Sequence, residues 1–293
     1  MNQVLRELVE LLDLEALERN LFRGLSRDLG GHSVFGGQVV SQALVAASRT
    51  VDATRAPHSL HAYFLRPGDM THPIIYEVDR VRDGKSFATR RVQAIQHGEV
   101  ILSMITSFHR SEDGFEHAFE MPDVAPPDKL PDEHELRVAL VSQSNSVPET
   151  SREAFLRPMP IEIRHIRPLD PAKANVPREP MQSVWLRAAG KLPDDPVLHA
   201  CILAYASDFH LIGTALRAHG HFGFSGEVQV ASLDHALWFH RPLRIDDWLL
   251  YAMDSPSAHG SRGFARGLFY DREGRLVASA AQEGLVRRRP QQA

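Results

Sequence analysis

The chain has one cysteine, Cys201, which excludes an intrachain disulfide and any zinc site built on a cysteine pair. A lone thiol in an apolar run is expected to act as a small buried hydrophobe. Long hydrophobic runs are missing too: nothing approaches the roughly 18 consecutive apolar residues of a membrane-spanning helix. There is no basic excess. The net charge is −4 over 293 residues, so nucleic acid is not an expected partner, and an anionic ligand would need a local group of arginines. The first twenty residues, MNQVLRELVELLDLEALERN, are acidic throughout and lack a basic leader, so no signal peptide is expected. The closing RRRPQQA is not a peroxisomal address, and a cytoplasmic protein is the expectation. H-E-x-x-H is absent. GHSVFG at 31–36 misses G-x-S-x-G by one position, and Asp83-Gly84-Lys85-Ser86 ends like a P-loop but has Asp79 where the first glycine is required. Neither a metal nor a cofactor is expected.

What is present is an ordinary globular composition, 43% hydrophobic and 24% charged, arranged in two similar halves. Residues 4–18 place Leu5, Leu8, Leu12 and Leu14 on one helical face, and residues 21–36 read as a polar, Gly-rich loop. Residues 35–50 predict a second helix with the stripe Val39, Val40, Ala43, Leu44 and Ala47. Four β-rich runs follow, at 58–65, 74–81, 86–96 and 100–110, punctuated by Asp83-Gly84 and His97-Gly98 as hairpin turns. Residues 121–160 are rich in proline and charge and read as a connector with one short helix at 133–143. Beyond it come a strand at 184–188, a helical stretch at 195–218, and strands at 228–240, 248–253, 263–270 and 276–286. The expected organisation is an N-terminal repeat over 1–120, the connector over 121–160, and a C-terminal repeat over 161–293.

The repeat rests on ordered anchors. Phe64-Leu65-Arg66-Pro67 returns as Phe239-His240-Arg241-Pro242 at an offset of 175, and Ser86-Phe87-Ala88 as Gly263-Phe264-Ala265 at 177. Gly98 matches Gly274 and Ser103 matches Ser279 at 176, and Ala43-Leu44 matches Ala215-Leu216 at 172. A helix wrapped by a long antiparallel sheet, present twice, is an α+β double hot-dog. Two such sheets can join edge to edge and so hide their open strand edges.

One carboxylate stands out. Asp208 lies in AYASDFHLIGTAL (204–216), where Tyr205, Phe209, Ile212 and Leu216 mark one helical face. An ionised carboxylate near a core needs partners. Asp208 either performs chemistry there or caps the helix that begins after it, and the segment alone favours the cap.

The whole chain, from about residue 5 to 287, resembles bacterial acyl-CoA thioesterase II and its peroxisomal relatives. The resemblance is carried by FRGLSRDLGGHSVFGGQVVSQAL, HSLHAYFLRPGD, YASDFHL, SLDHALWFHRP and RGFARGLFYDREGRLVASAAQEG. It implies hydrolysis of fatty acyl-CoA to free acid and CoA without metal or cofactor. It also implies a catalytic set of Asp208, Ser232 and Gln282, with Ser232 standing where many bacterial members have Thr. By the repeat offsets, Asp208 matches Gly36 and Gln282 matches Thr106, so the first half lacks such a set and is expected to be structural. Gly36 and Gly37 would let a ligand approach the backbone at a helix start. Without the resemblance, Ser232 and Gln282 read as ordinary strand residues.

His58, His61, His235 and His240 flank the two Arg-Pro motifs and are expected to be hydrogen-bonded within the sheet. A Ser232–Asp234–His235 triad is disfavoured, because the three do not face the same way on a strand. Arg66, Arg90, Arg91, Arg241, Arg262 and Arg266 are candidates for the phosphates of CoA. Two alternatives share the fold: a non-catalytic acyl-CoA binder or sensor, and an enoyl-CoA hydratase. The hydratase pattern D-x-N-x-x-H is broken here, since Phe209, His210 and Leu211 follow Asp208. A sensor acting on DNA would want a basic helix-turn-helix, which the acidic N-terminus does not offer. Sheet-edge association makes a homo-oligomer, dimer or tetramer, the expected assembly.

Overall fold

The computed structural model describes residues 2–27, 33–143, 147–168, 170, 173, 176–221 and 227–289. Chain order begins with α1 (Gln3–Leu12), β1 (Glu15–Glu18), β2 (Leu21–Gly24) and α2 (Gly36–Ser48). Then come β3 (Ala56–Phe64), β4 (Ile74–Asp83), β5 (Phe87–Gln96) and β6 (Glu99–His109). The connecting stretch holds α3 (Glu133–Gln143) and α4 (Glu149–Phe155). The second half holds β7 (Ile161–His165), β8 (Met181–Ala188), α5 (Pro196–Ser207), α6 (Gly213–Leu216), β9 (Val228–Ser232), β10 (Asp234–Phe239), β11 (Leu249–His259), β12 (Arg262–Tyr270) and β13 (Leu276–Arg288).

Alternation makes the strands. In β5, Ala88, Arg90, Val92 and Ala94 face inward while Phe87 and Arg91 face solvent. The strands form one continuous sheet in the order β1-β2-β4-β5-β6-β3-β10-β13-β12-β11-β8-β7, with β9 also on β13. The two halves join where β3 runs antiparallel to β10, with Leu60 opposite Leu237 and Tyr63 opposite Asp234. The inner faces are covered by α2, lying against β3–β6, and by α5 and α6.

Both central helices are buried nearly all round, as a helix wrapped by sheet must be. Burying Gln42 of α2 is possible because its Nε2 donates to the carbonyls of Leu11 (2.8 Å) and Leu25 (2.9 Å) and its Oε1 accepts from Tyr76 Oη (2.7 Å). Helix α5 starts on Asp195, whose carboxylate accepts the N–H groups of Val197 and Leu198, with Pro196 in the first turn. Cys201 is fully buried in α5, as expected of a small apolar side chain, and burial pushes its thiol pKa up.

The repeat holds at hydrogen-bond level. The backbone N–H groups of Leu65 and Arg66 both donate to Ile101 O, and Arg66 Nη1 donates to Val100 O at 2.9 Å. The N–H groups of His240 and Arg241 both donate to Val277 O, and Arg241 Nη1 donates to Leu276 O at 2.9 Å. Gly98 and Gly274 both take left-handed turns, with φ of 78° and 80°. His97 joins Gly98 at positive φ, which is the backbone a two-residue hairpin turn needs.

Several expectations need correction. Strands β1, β2 and β7 were not expected, and β2 lies inside the predicted loop; each has four or five residues, too few for alternation to register. Residues 28–32 of that loop lie outside the described residues. The first helix stops at Leu12 rather than 18. The connector has a second helix, α4. The run 228–240 is two strands divided at Leu233, both paired to the long β13. The helical stretch 195–218 breaks after Ser207 and resumes at Gly213, with His210 between them at φ 63°. Tyr205 and Leu216 therefore do not share one continuous helical face.

Candidate active site

Asp208 sits at the break between α5 and α6. It is the C-cap residue of α5 and caps no helix that follows it. Its side chain instead reaches the start of α2, in the other half of the chain. There Oδ2 accepts the N–H of Gly37 at 2.8 Å. Phe35, the residue entering α2, has no side-chain acceptor to offer, so Asp208 supplies the missing cap across the interface between the halves. The approach is close enough to require glycine. A Cβ on Gly36 would lie 2.8 Å from Asp208 Oδ2, and one on Gly37 would lie 2.5 Å from Tyr205 O.

The second carboxylate oxygen is held from the sheet. Gln282 is fully buried on β13, and its Nε2 donates to Asp208 Oδ1 at 2.6 Å and to Ser232 Oγ at 3.0 Å. The amide orientation follows from chemistry, since an ionised carboxylate only accepts. Ser232 ends β9 opposite Gly284, two residues beyond Gln282, so its side chain shares Gln282's face of the sheet. A Cβ on Gly284 would meet Ile212 at 2.6 Å, so this glycine lets the segment after Asp208 lie on the sheet. Asp208, Ser232 and Gln282, distant in sequence, thus form one hydrogen-bonded cluster. Gln282 Oε1 is buried with no hydrogen-bond partner among the described residues. Around the carboxylate are aromatic rings: half-buried Phe35 stacks on half-buried Phe209 at 4.8 Å and meets the fully buried Tyr205 edge-on at 5.1 Å, while half-buried Phe64 packs at Gly36.

The histidines take other roles. His235 is buried behind the cluster, with Nε2 2.8 Å from Ser207 Oγ, while Ser207 O accepts from Tyr251 Oη at 2.9 Å. His235 therefore braces the last turn of α5 and does not contact Ser232. Burial pushes its pKa down, against the charges of Asp208 and Asp234. Asp234 accepts the N–H of Glu283 at 2.7 Å, which leaves no Ser-His-Asp relay. His240 meets Ser279 at 2.8 Å, and His61 packs edge-on against Trp238.

The six candidate phosphate-binding arginines are all engaged within the chain. Arg90 is buried and spends its guanidinium on Thr50, Arg82 O, Thr89 O and Asp83. Arg66 pairs with Glu99, Arg91 with Asp79, Arg241 with Glu116, Arg262 with Glu283 and Arg266 with Asp254. Thr106, the first-half counterpart of Gln282, is buried and donates to Ser59 O, so no second cluster forms there.

Comparison with known proteins decides the family. Residues 25–109 match the model for the acyl-CoA thioesterase N-terminal domain and residues 173–285 that for acyl-CoA thioesterase. The chain is 42% identical over 288 residues to acyl-CoA thioesterase 2 of Haemophilus influenzae, covering 98% of this chain and 99% of that one. The chain belongs to the acyl-CoA thioesterase family. The crystal structure of an acyl-CoA thioesterase II from Mycobacterium marinum superposes with a TM-score of 0.78 at 43% identity, over 97% of this chain and 99% of that one. A hot-dog protein from Alicyclobacillus acidocaldarius matches in fold, with a TM-score of 0.76 at 18% identity over 97% and 98%. Within this acyl-CoA thioesterase, the hydrogen-bonded cluster at the junction of α2, α5 and β13 is the candidate active site.

Proposed function

We propose that this thioester hydrolase cleaves fatty acyl-CoA to free acid and CoA, with Asp208 activating water and Ser232 and Gln282 positioning it. The carrying observation is the way the carboxylate is held. One oxygen takes the Gly37 N–H and the other the Gln282 amide, so each keeps a lone pair for water while the pair is fixed in direction. Both Gln282 amide hydrogens are used, and Ser232 Oγ accepts one of them. The Ser232 hydroxyl hydrogen is therefore free for water or for the thioester oxygen. In the proposed step, water oxygen bonds the carbonyl carbon while Asp208 takes its proton. The C–S bond then breaks, and the proton passes to the departing thiolate.

The surrounding Phe35, Phe64 and Phe209 rings suit an acyl chain approaching the carboxylate. The hydratase alternative would set a histidine against Asp208. His235 instead braces Ser207 and His210 turns toward Glu133, which favours hydrolysis. We further propose the division 1–120, 121–160 and 161–293, a cytoplasmic role in fatty-acid metabolism, and association into a homo-oligomer. The test is free-thiol release from acyl-CoAs of graded length by the wild type and Asp208→Asn. Release by the wild type and its loss in a folded variant is the expected result; binding without release by the wild type would leave a non-catalytic acyl-CoA binder instead.

A further inference from the structure

Three donor side chains from separate elements meet beside the segment that follows Asp208. Glu133 opens α3, His165 ends β7, and His210 lies in the break between α5 and α6. Their ligand atoms all lie within 4.8 Å of one another. Glu133 Oε1 is 3.3 Å from His210 Nε2 and 3.5 Å from His165 Nε2. Zinc binds imidazole nitrogen and carboxylate oxygen at about 2.0–2.2 Å, and a tetrahedral arrangement then spaces donors about 3.3–3.5 Å apart. The three side chains are only 13%, 18% and 24% exposed. His210 Nε2 is buried, and its 3.3 Å approach to Glu133 Oε1 is too poorly aligned for a regular hydrogen bond; the ring is presented from a left-handed backbone, which is costly for a residue with a Cβ.

We propose that Glu133, His165 and His210 form a binding site for a divalent transition metal of zinc's class, with two imidazoles, one carboxylate and a fourth position for water. Motif reading could not find it, because the three donors are scattered over 78 positions of sequence, from 133 to 210. Occupancy would tie the connector helix α3 to the segment carrying Asp208. Arg137 is the competing cation: its Nη2 lies 3.1 Å from the same Glu133 oxygen, so the metal must displace it. A cavity of about 200 Å³ lined by Glu133, Arg137, Arg157 and Ile163 adjoins the Glu133 side of the site.

A second group, Asp69, His72 and His97, has the same donor types and serves as an internal control. There Asp69 Oδ2 lies 2.7 Å from His72 Nδ1 and 3.0 Å from His97 Nε2, which is direct hydrogen bonding, in an exposed setting.

The experiment is titration of Co²⁺ into the chelator-treated full-length protein, read by visible absorption, with Zn²⁺ competition by calorimetry. One equivalent should bind with a tetrahedral Co²⁺ spectrum and be displaced by Zn²⁺. His165→Asn and His210→Asn should each weaken binding about tenfold or more. The double variant His72→Asn/His97→Asn should leave it unchanged. Arg137→Gln keeps all three donors and should tighten binding, so the proposal stays testable if a histidine variant fails to fold. No stoichiometric binding, binding lost with His72 and His97, or weakened binding in Arg137→Gln would each overturn the assignment.

Discussion

Asp208 Oδ2 and the backbone nitrogen of Gly37 are 2.8 Å apart, and this one hydrogen bond links the two repeats at the candidate active site. It also means that two properties of Asp208 can be separated by substitution. Asn is as good an N-cap acceptor as Asp but a far weaker base. Asp208→Asn keeps the Gly37 acceptor but sets its NH2 toward the Gln282 amide, so it should lose about 1 kcal/mol, and Asp208→Ala, which loses both acceptors, about 1–3 kcal/mol. Both should lose about 10²–10⁴-fold in kcat. Denaturant melts beside thiol-release kinetics check this; an active Asp208→Asn enzyme would remove the carboxylate from the reaction.

The glycines at the start of α2 should behave against helix propensity. Gly→Ala inside a helix ordinarily gains up to about 1 kcal/mol. Gly37→Ala instead drives a methyl group to 2.5 Å from the backbone oxygen of Tyr205, which cannot swing aside. A loss of about 1–3 kcal/mol is expected. Gly213→Ala in α6, where a Cβ meets nothing within 4 Å, should instead show the ordinary gain in the same thermal-melt series.

Ser232→Thr keeps the hydroxyl and should retain most activity, while Ser232→Ala should not. Gln282→Met keeps the buried volume but removes the donor to Asp208 Oδ1, and kcat should fall about 10²–10³-fold, the scale of losing one preorganised donor. Steady-state kinetics on one acyl-CoA separate the cases. Equal activity of Gln282→Met and the wild type would relegate the glutamine to a packing role.

His235 gives stability a pH dependence. Burial holds its folded-state pKa below the ordinary 6.5, partly opposed by Asp208 and Asp234. Below pH 6.5 the unfolded chain takes up a proton that the folded chain does not, so stability is lost as pH falls toward the folded pKa. The slope from this one group is at most about 1.4 kcal/mol per pH unit. Urea unfolding at pH 7.5 and 5.5 should show that decline, and His235→Gln should reduce it. An unchanged slope would mean that the histidine does not take part.

Local pattern made much of the fold legible. Alternation located the meander strands, and small apolar residues at helical spacing located α2 and α5. The doubled Phe-x-Arg-Pro motif revealed the repeat, whose arginines turn out to make the same backbone contacts in both halves. The break after Ser207 was not legible, because Phe209, Ile212 and Leu216 continue a helical period on paper. The glycines facing that segment, Gly263 and Gly284, belong to distant strands; they let Ala215 and Ile212 settle on the sheet. The arginines' partners were not legible for a related reason: the carboxylates that pair with them are brought alongside by folding.

By itself the sequence determined the paired helix-and-meander halves and, through family resemblance, pointed to Asp208, Ser232 and Gln282 as the proposed catalytic set. Periodicity and turn chemistry are local, so they survive in one dimension. Tertiary structure alone decided that Asp208 caps a helix of the opposite half, that Gln282 spends both amide hydrogens at the site, and that Glu133, His165 and His210 converge. Each of these is a contact between residues far apart in the chain. Such contacts arise only when burial and hydrogen-bond satisfaction are solved for the whole sheet at once.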